Sequence, residues 1–167
     1  MWPPGDLSME TVVSVFPWEG VFVLLEVLGR DLLQALEHGV SLLPRRFGRF
    51  PQVAGMSFAV DAGEAAGRRI SDVVVNGQPL IDDQPYLVAT TDYIAQGGDD
   101  YEVFVKKGVL KVSDEFGPGI HDACRRVLPD MPSPRVEGRI RHRRAFRMSM
   151  EPEELAVVGA EVDVKAW

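Results

Sequence analysis

Cysteine is almost missing from this sequence: Cys124 stands alone among 167 residues, so no internal disulfide framework can staple the fold. Histidine is nearly as scarce, with His38, His121 and His142 in three distant segments. No Asp-x-His, Asn-His-Glu or His-x-His pattern occurs, and without such clusters no metal site is expected in the chain. Apolar runs are short; none approaches the roughly 20 residues that cross a bilayer as a helix. The opening Met1-Trp2-Pro3-Pro4-Gly5-Asp6 lacks the basic and apolar regions of a signal peptide. A Gly-x-Ser-x-Gly nucleophile motif is missing, as is a phosphate-cradling loop with its Lys. Positive charge is also in deficit, 18 Lys and Arg against 25 Asp and Glu for a net charge of -7. That balance argues against nucleic acid as a partner, since backbone phosphates require a positive field. The local exception, Arg139, Arg141, Arg143, Arg144 and Arg147, is followed by Glu151, Glu153 and Glu154 and reads as a solvated strip.

What remains is ordinary globular material. With 46% hydrophobic and 26% charged residues, the chain reads as one compact domain able to bury a core without staples. Ser8 to Val15 suits a short helix capped by Ser8 and ended by Pro17. Val21 to Val27 reads as a strand buried on both faces. Leu32, Leu33, Leu36, Val40 and Leu43 then recur at helical spacing, with Arg30, Gln34, Glu37 and His38 mostly on the other side, up to Pro44. Met56 to Val60 is a candidate strand, and Gly63 to Gly67 a turn. Ile70 to Val75 and Pro79 to Ile81 flank Asn76-Gly77 as a hairpin, because a tight turn needs positive φ at both central residues. Tyr86 to Thr90 is a further strand, and Tyr101 to Val105 with Val109 to Val112 reads as another pair. Ile120 to Leu128 resembles a helix, Arg135 to Arg141 a last strand, and Glu161 to Val164 an edge strand. Helices and hairpins are mixed without strict alternation, which favours an α+β domain with mixed sheets over a doubly wound one.

Chemistry is sparse. Gly97-Gly98-Asp99-Asp100 follows Tyr93-Ile94-Ala95-Gln96; adjacent glycines let the backbone turn tightly and carry a carboxylate toward a ligand. Locally, the plainer reading is a surface loop with solvated aspartates. Trp18, at the Pro17 and Gly20 break, is locally either a core plug or a ligand platform. Cys124 reads as a buried structural thiol, His38 as an exposed helix position, and His121-Asp122 as a cap or solvated pair.

In order along the chain, several blocks resemble the C-terminal domain of the 5'-nucleotidase family. Gly5-Asp6-Leu7-Ser8-Met9-Glu10, Val15-Phe16-Pro17-Trp18, Leu28-Gly29 and Ala35-Leu36-Glu37-His38 are similar to its beginning. Gly48-Arg49-Phe50-Pro51-Gln52-Val53-Ala54-Gly55 and then Asp61 resemble its next block. Tyr86 and Tyr93-Ile94-Ala95-Gln96-Gly97-Gly98-Asp99 are similar to its most recognisable motif, and Val136-Glu137-Gly138-Arg139-Ile140 to its closing strand. The resemblance covers residues 5–140 and leaves 141–167 as an extension of unassigned role. It implies a layered α/β/β/α sandwich with mixed sheets and a nucleoside or nucleotide ligand. By position, Trp18 and Tyr93 become the two aromatics clamping the base, and Asp99 the ribose anchor in the Gly97-Gly98 loop. It also implies a metallophosphoesterase domain, in cis or trans, carrying two divalent metals, and a role in nucleotide catabolism. No such domain lies in this sequence, so the chain alone is expected to hydrolyse nothing. The alternative is a stand-alone module that binds nucleosides or dimerises, since some members of the family form homodimers through this domain; a truncated gene product is a third reading. Relatives are periplasmic, secreted or at the cell surface.

Three departures stand out. Trp18 and Tyr93 occupy positions where the family usually has Phe. Asp100 replaces the Gly that usually follows the motif's Asp, a substitution that strains the loop if positive φ is required there. The family's upstream Asn-Gly-Gly-Gly-Ile-Arg segment, whose Arg helps hold phosphate or base, is absent.

Overall fold

A computed structural model describes residues 8–130 and 137–143. The distal arginines Arg144 and Arg147, the Glu161 to Val164 strand and the block before Ser8 lie outside the described residues. The chain divides into two compact units, one with residues 8–35, 80–130 and 137–138, the other with 36–79 and 139–143. Helices and two sheets are mixed along the chain, so it is α+β, as its pattern implies.

In the first unit, α1 (Met9–Val15) starts where expected: the Ser8 hydroxyl accepts from Thr11 N–H at 3.2 Å. Strand β1 (Phe22–Leu28) runs between β5 (Pro85–Thr91) and β6 (Val109–Val112), all antiparallel. Its burial alternates, which corrects the expectation of two buried faces. Val23, Leu25 and Val27 are buried, while the intervening residues are half-buried. The reason is Glu26, whose carboxylate needs water and pairs with Lys111 at 3.1 Å. Helix α2 (Gly29–Gly39) contributes Leu32 and Ala35 to this unit's core.

The strand expected over Tyr101 to Val105 is instead helix α4 (Glu102–Lys107). Alternating β-formers suggest a strand, but burial here follows helical spacing. Val103 and Phe104 are buried, Tyr101 stacks on Phe104 with centroids 5.7 Å apart, and Val105 is exposed. Glu102 in the first turn and Lys106 and Lys107 in the last complement the helix dipole, and Glu102 pairs with Lys106. Strand β6 is real but pairs with β1. Helix α5 (Ile120–Val127) matches its expected span to one residue, although Cys124 is half-buried rather than fully buried.

The second unit holds β2 (Met56–Val60), β3 (Ile70–Val75), β4 (Gln78–Pro79) and β7 (Ile140–His142), in the order β4-β3-β2-β7. Only the β2–β7 pair is parallel, which makes the sheet mixed. Asn76 and Gly77 have φ of 49° and 79°, the positive pair the hairpin requires. Strand β4 ends at Pro79, not Ile81, and β7 starts at Ile140. Leu36, Val40, Leu43, Phe58 and Val60 form the buried cluster. The helix expected to reach Pro44 closes at Gly39, and residues 40–44 continue as turns that still deliver Val40 and Leu43 to the core.

Two polar residues read as solvent-facing are half-buried. Glu37 is half-buried, and its carboxylate accepts from Arg69 N–H at 3.1 Å and Ile70 N–H at 2.7 Å. His38 is half-buried as well. Within the basic cluster, Arg139 donates to the Val53 carbonyl, and Arg143 pairs with Asp72 at 2.8 Å. The hydrogen bond to Asp72 raises the Arg143 pKa above its ordinary value. These two arginines therefore stitch the second unit, rather than forming part of a merely solvated strip.

Candidate functional site

All five residues singled out by the sequence, Trp18, Tyr93, Gly97, Gly98 and Asp99, fall in the first unit. Helix α3 (Asp92–Ala95) follows β5 directly and is capped by Thr91, whose hydroxyl accepts from Ile94 N–H at 3.4 Å. Gly97 then turns the chain in the left-handed region, at φ 93° and ψ 13°, where a Cβ is costly. A single 3-10 turn, Gly98–Asp100, delivers the two aspartates.

Gly98 packs against Tyr93. A Cβ on Gly98 would lie 2.4 to 2.5 Å from Cε1, Cδ1 and Cζ of that ring. Three consecutive ring atoms at nearly equal distance mean that the glycine stands over the ring's face, not at its edge. Tyr93 nevertheless remains 58% exposed. The phenol turns back on the loop: its oxygen accepts from Asp99 N–H at 3.2 Å, and its O–H donates to Asp99 Oδ1 at 3.2 Å. Asp99 is half-buried at φ 51°. Asp100 sits at φ 64°, so the position does take positive φ, and its side chain is exposed. Asp is among the few non-glycine residues that adopt this region readily. Exposure also lets water screen its charge from that of Asp99.

Trp18 lies in the loop between α1 and β1 and is 77% exposed, which excludes the core-plug reading. The end of that loop is fastened to α3. Asp92 Oδ1 accepts from Val21 N–H at 3.1 Å, and Asp92 N–H donates to the Val21 carbonyl at 2.9 Å. Asp92 precedes Tyr93 by one residue, and Val21 follows Trp18 by three. On the other side, His121 Nε2 lies 2.7 Å from the Phe16 carbonyl. A carbonyl only accepts, so Nε2 carries the proton. Ile120 N–H donates to the Gly20 carbonyl at 2.9 Å. A cavity of ≈ 430 Å³ opens there, lined by Glu19, Val21, Asp92, Ile120, His121 and Asp122 among others.

Asp92 and His121 are the residues that sequence reasoning missed. Asp92 carries a signal in the Thr91-Asp92 helix start. His121 reads from sequence as a cap or solvated pair, because its partner lies 105 residues away. Among the described residues, no group of three or more His, Cys, Asp or Glu could hold a metal ion. Among the described residues, the arrangement brings an exposed aromatic ring and a carboxylate into one loop.

Residues 2–106 match the family described as 5'-nucleotidase, C-terminal domain. The chain is 30% identical over 142 residues to the trifunctional nucleotide phosphoesterase protein YfkN of Bacillus subtilis (strain 168), covering 82% of this chain and 10% of that protein. It is 30% identical over 105 residues to a 5'-nucleotidase of Diplobatis ommata, covering 58% of this chain and 18% of that one. Its fold matches the crystal structure of a 5'-nucleotidase precursor from Thermus thermophilus with a TM-score of 0.77 at 30% identity, over 84% of this chain and 28% of the other. In each case the chain spans less than a third of its relative. With well over half of its residues inside the family match, and the two-sheet α+β fold to go with it, this chain belongs to the 5'-nucleotidase C-terminal domain family.

Proposed function

We propose that this chain is the nucleoside-gripping domain of a 5'-nucleotidase-like phosphohydrolase of nucleotide catabolism. In this reading residues 5–140 form the binding domain and 141–167 an extension. Trp18 and Tyr93 stack on the base, Asp99 accepts hydrogen bonds from the ribose hydroxyls, and Gly97 and Gly98 shape the loop between them. The two divalent metals and the hydrolytic step belong to a metallophosphoesterase domain acting in cis or in trans. There the metals would generate the attacking hydroxide.

One observation carries the reading. Tyr93 has one face against Gly98 and is more than half exposed, while its hydroxyl touches the Asp99 carboxylate. A flat apolar platform and an anionic acceptor therefore sit in one loop, which is what a base joined to a diol requires. Stacking on aromatic side chains contributes about 1–3 kcal/mol per base and tolerates different bases. A carboxylate is the stronger class of acceptor for paired hydroxyls.

Calorimetric titration with adenosine tests this. Trp18→Ala and Tyr93→Ala are each expected to weaken binding by roughly 5- to 150-fold, the range that stacking energy implies. Unchanged affinity in both variants would sink the clamp assignment.

A further inference from the structure

The Tyr93 hydroxyl makes two bonds that a phenylalanine, with the same stacking face, could not make. Its oxygen takes the Asp99 N–H and its proton goes to Asp99 Oδ1, each at 3.2 Å. Both are allowed at once, since a phenol is donor and acceptor together. The two bonds close a small loop onto one residue, which sits in the left-handed region at φ 51°. Gly98, meanwhile, holds the ring from beneath. The ring position and the carboxylate orientation are thus set by the same side chain.

We propose that the Tyr93 hydroxyl couples base recognition to ribose recognition, so that the site selects an intact nucleoside over a free base. This rests on the nucleoside-binding reading given above. A carboxylate has about four lone-pair sites, so one phenolic O–H orients Asp99 without occupying its whole acceptor capacity. A base that seats against the ring keeps the phenol in place, and the phenol keeps the carboxylate aimed. Without the hydroxyl the ring still stacks, but Asp99 loses the two bonds that tie it to the ring, and ribose binding must then restore that order. Tyr93 is in this respect a positioning residue acting through Asp99.

The test is calorimetric titration of the full 167-residue chain with adenosine and, separately, with adenine. Tyr93→Phe, which removes both bonds to Asp99, is expected to weaken adenosine binding by at least roughly 2- to 13-fold, the worth of a typical hydrogen bond, and adenine binding by clearly less. The adenosine-to-adenine ratio therefore falls. Asp99→Asn lowers the same ratio, and the double variant falls no further than the larger single effect, because both changes remove one coupled unit. A ratio that drops in Asp99→Asn but not in Tyr93→Phe overturns the coupling while sparing the ribose anchor. The coupling also fails if Tyr93→Phe only lowers the melting temperature, since the hydroxyl is then a loop staple alone. A wild-type ratio near one, unmoved by Asp99→Asn, overturns the nucleoside reading and the coupling with it.

Discussion

A methyl group added at Gly98 would land on the face of Tyr93, closer than non-bonded carbons approach, so the ring or the backbone must move. Overpacking of this kind costs about 1–3 kcal/mol. Gly98→Ala is therefore expected to lower stability by that order, measured by urea denaturation, and to weaken adenosine binding at least about 10-fold, since a displaced ring loses both the stacked base and its hold on Asp99. Wild-type binding in a destabilised Gly98→Ala protein would show that the ring's seat on Gly98 has nothing to do with the ligand. How much of this is legible in the sequence differs from residue to residue. The Gly97-Gly98-Asp99 run signals a tight turn carrying a carboxylate, and of the two glycines it is Gly97 that takes left-handed φ. Positive φ at Asp100 is left as a condition by the sequence, and the structure meets it at 64°. What does not follow is the phenol's return to Asp99. A hydrogen bond spanning six residues depends on the whole path of the intervening loop, and no local propensity encodes that path. The exposure of Trp18 is equally hidden, because an aromatic between Pro and Gly is consistent with either core or surface.

Elements are most legible where their caps and turns carry their own chemistry. Ser8 before α1 and Asn76-Gly77 between β3 and β4 each dictate a local geometry, and both adopt it. Legibility fails where tertiary burial overrides local preference. Val103 and Val105 alternate like a strand, yet the segment is helical because Val103 and Phe104 are both buried and Val105 is not. It fails also at α2, where Glu37 looks like part of a solvated face. Its two partners, the amides of Arg69 and Ile70, begin the next hairpin some thirty residues on. That distance hides the contact from any reading by period. The energetic consequence is considerable. Removing this carboxylate leaves two partly buried N–H groups without their acceptor, at about 1–3 kcal/mol each when unsatisfied. Glu37→Ala is accordingly expected to destabilise the protein by about 2–6 kcal/mol in chemical denaturation. Glu37→Gln keeps one acceptor oxygen and should lose about half as much. Loss below about 0.5 kcal/mol in Glu37→Ala, the range of ordinary surface substitutions, would mean that water replaces the carboxylate at no cost.

For the molecule as a whole, the division of labour turns on which side chains are present. Hydrolysing a phosphate monoester by a two-metal route needs a dense set of Asp, His and Asn donors around ions about 3.5–4 Å apart. The chain has three histidines. His121 spends Nε2 on the Phe16 carbonyl, and no group of three potential ligands gathers among the described residues. Its relatives are also several times longer, since the chain spans 28% of the Thermus protein and 10% of the Bacillus one. Under the proposed reading, binding and chemistry separate in the purified chain. With adenosine monophosphate and added Zn²⁺, Mn²⁺ or Mg²⁺, phosphate release is expected to stay at the buffer rate. Adenosine affinity should meanwhile be the same, within about 2-fold, in excess metal and in excess chelator. Stacking and a ribose–carboxylate contact need no ion to form, which is why the second half of the test is informative when the first is negative. Metal-dependent turnover that a chelator abolishes would place a catalytic centre in this chain. Adenosine binding that vanishes with the chelator would instead transfer the grip from Trp18, Tyr93 and Asp99 to a metal.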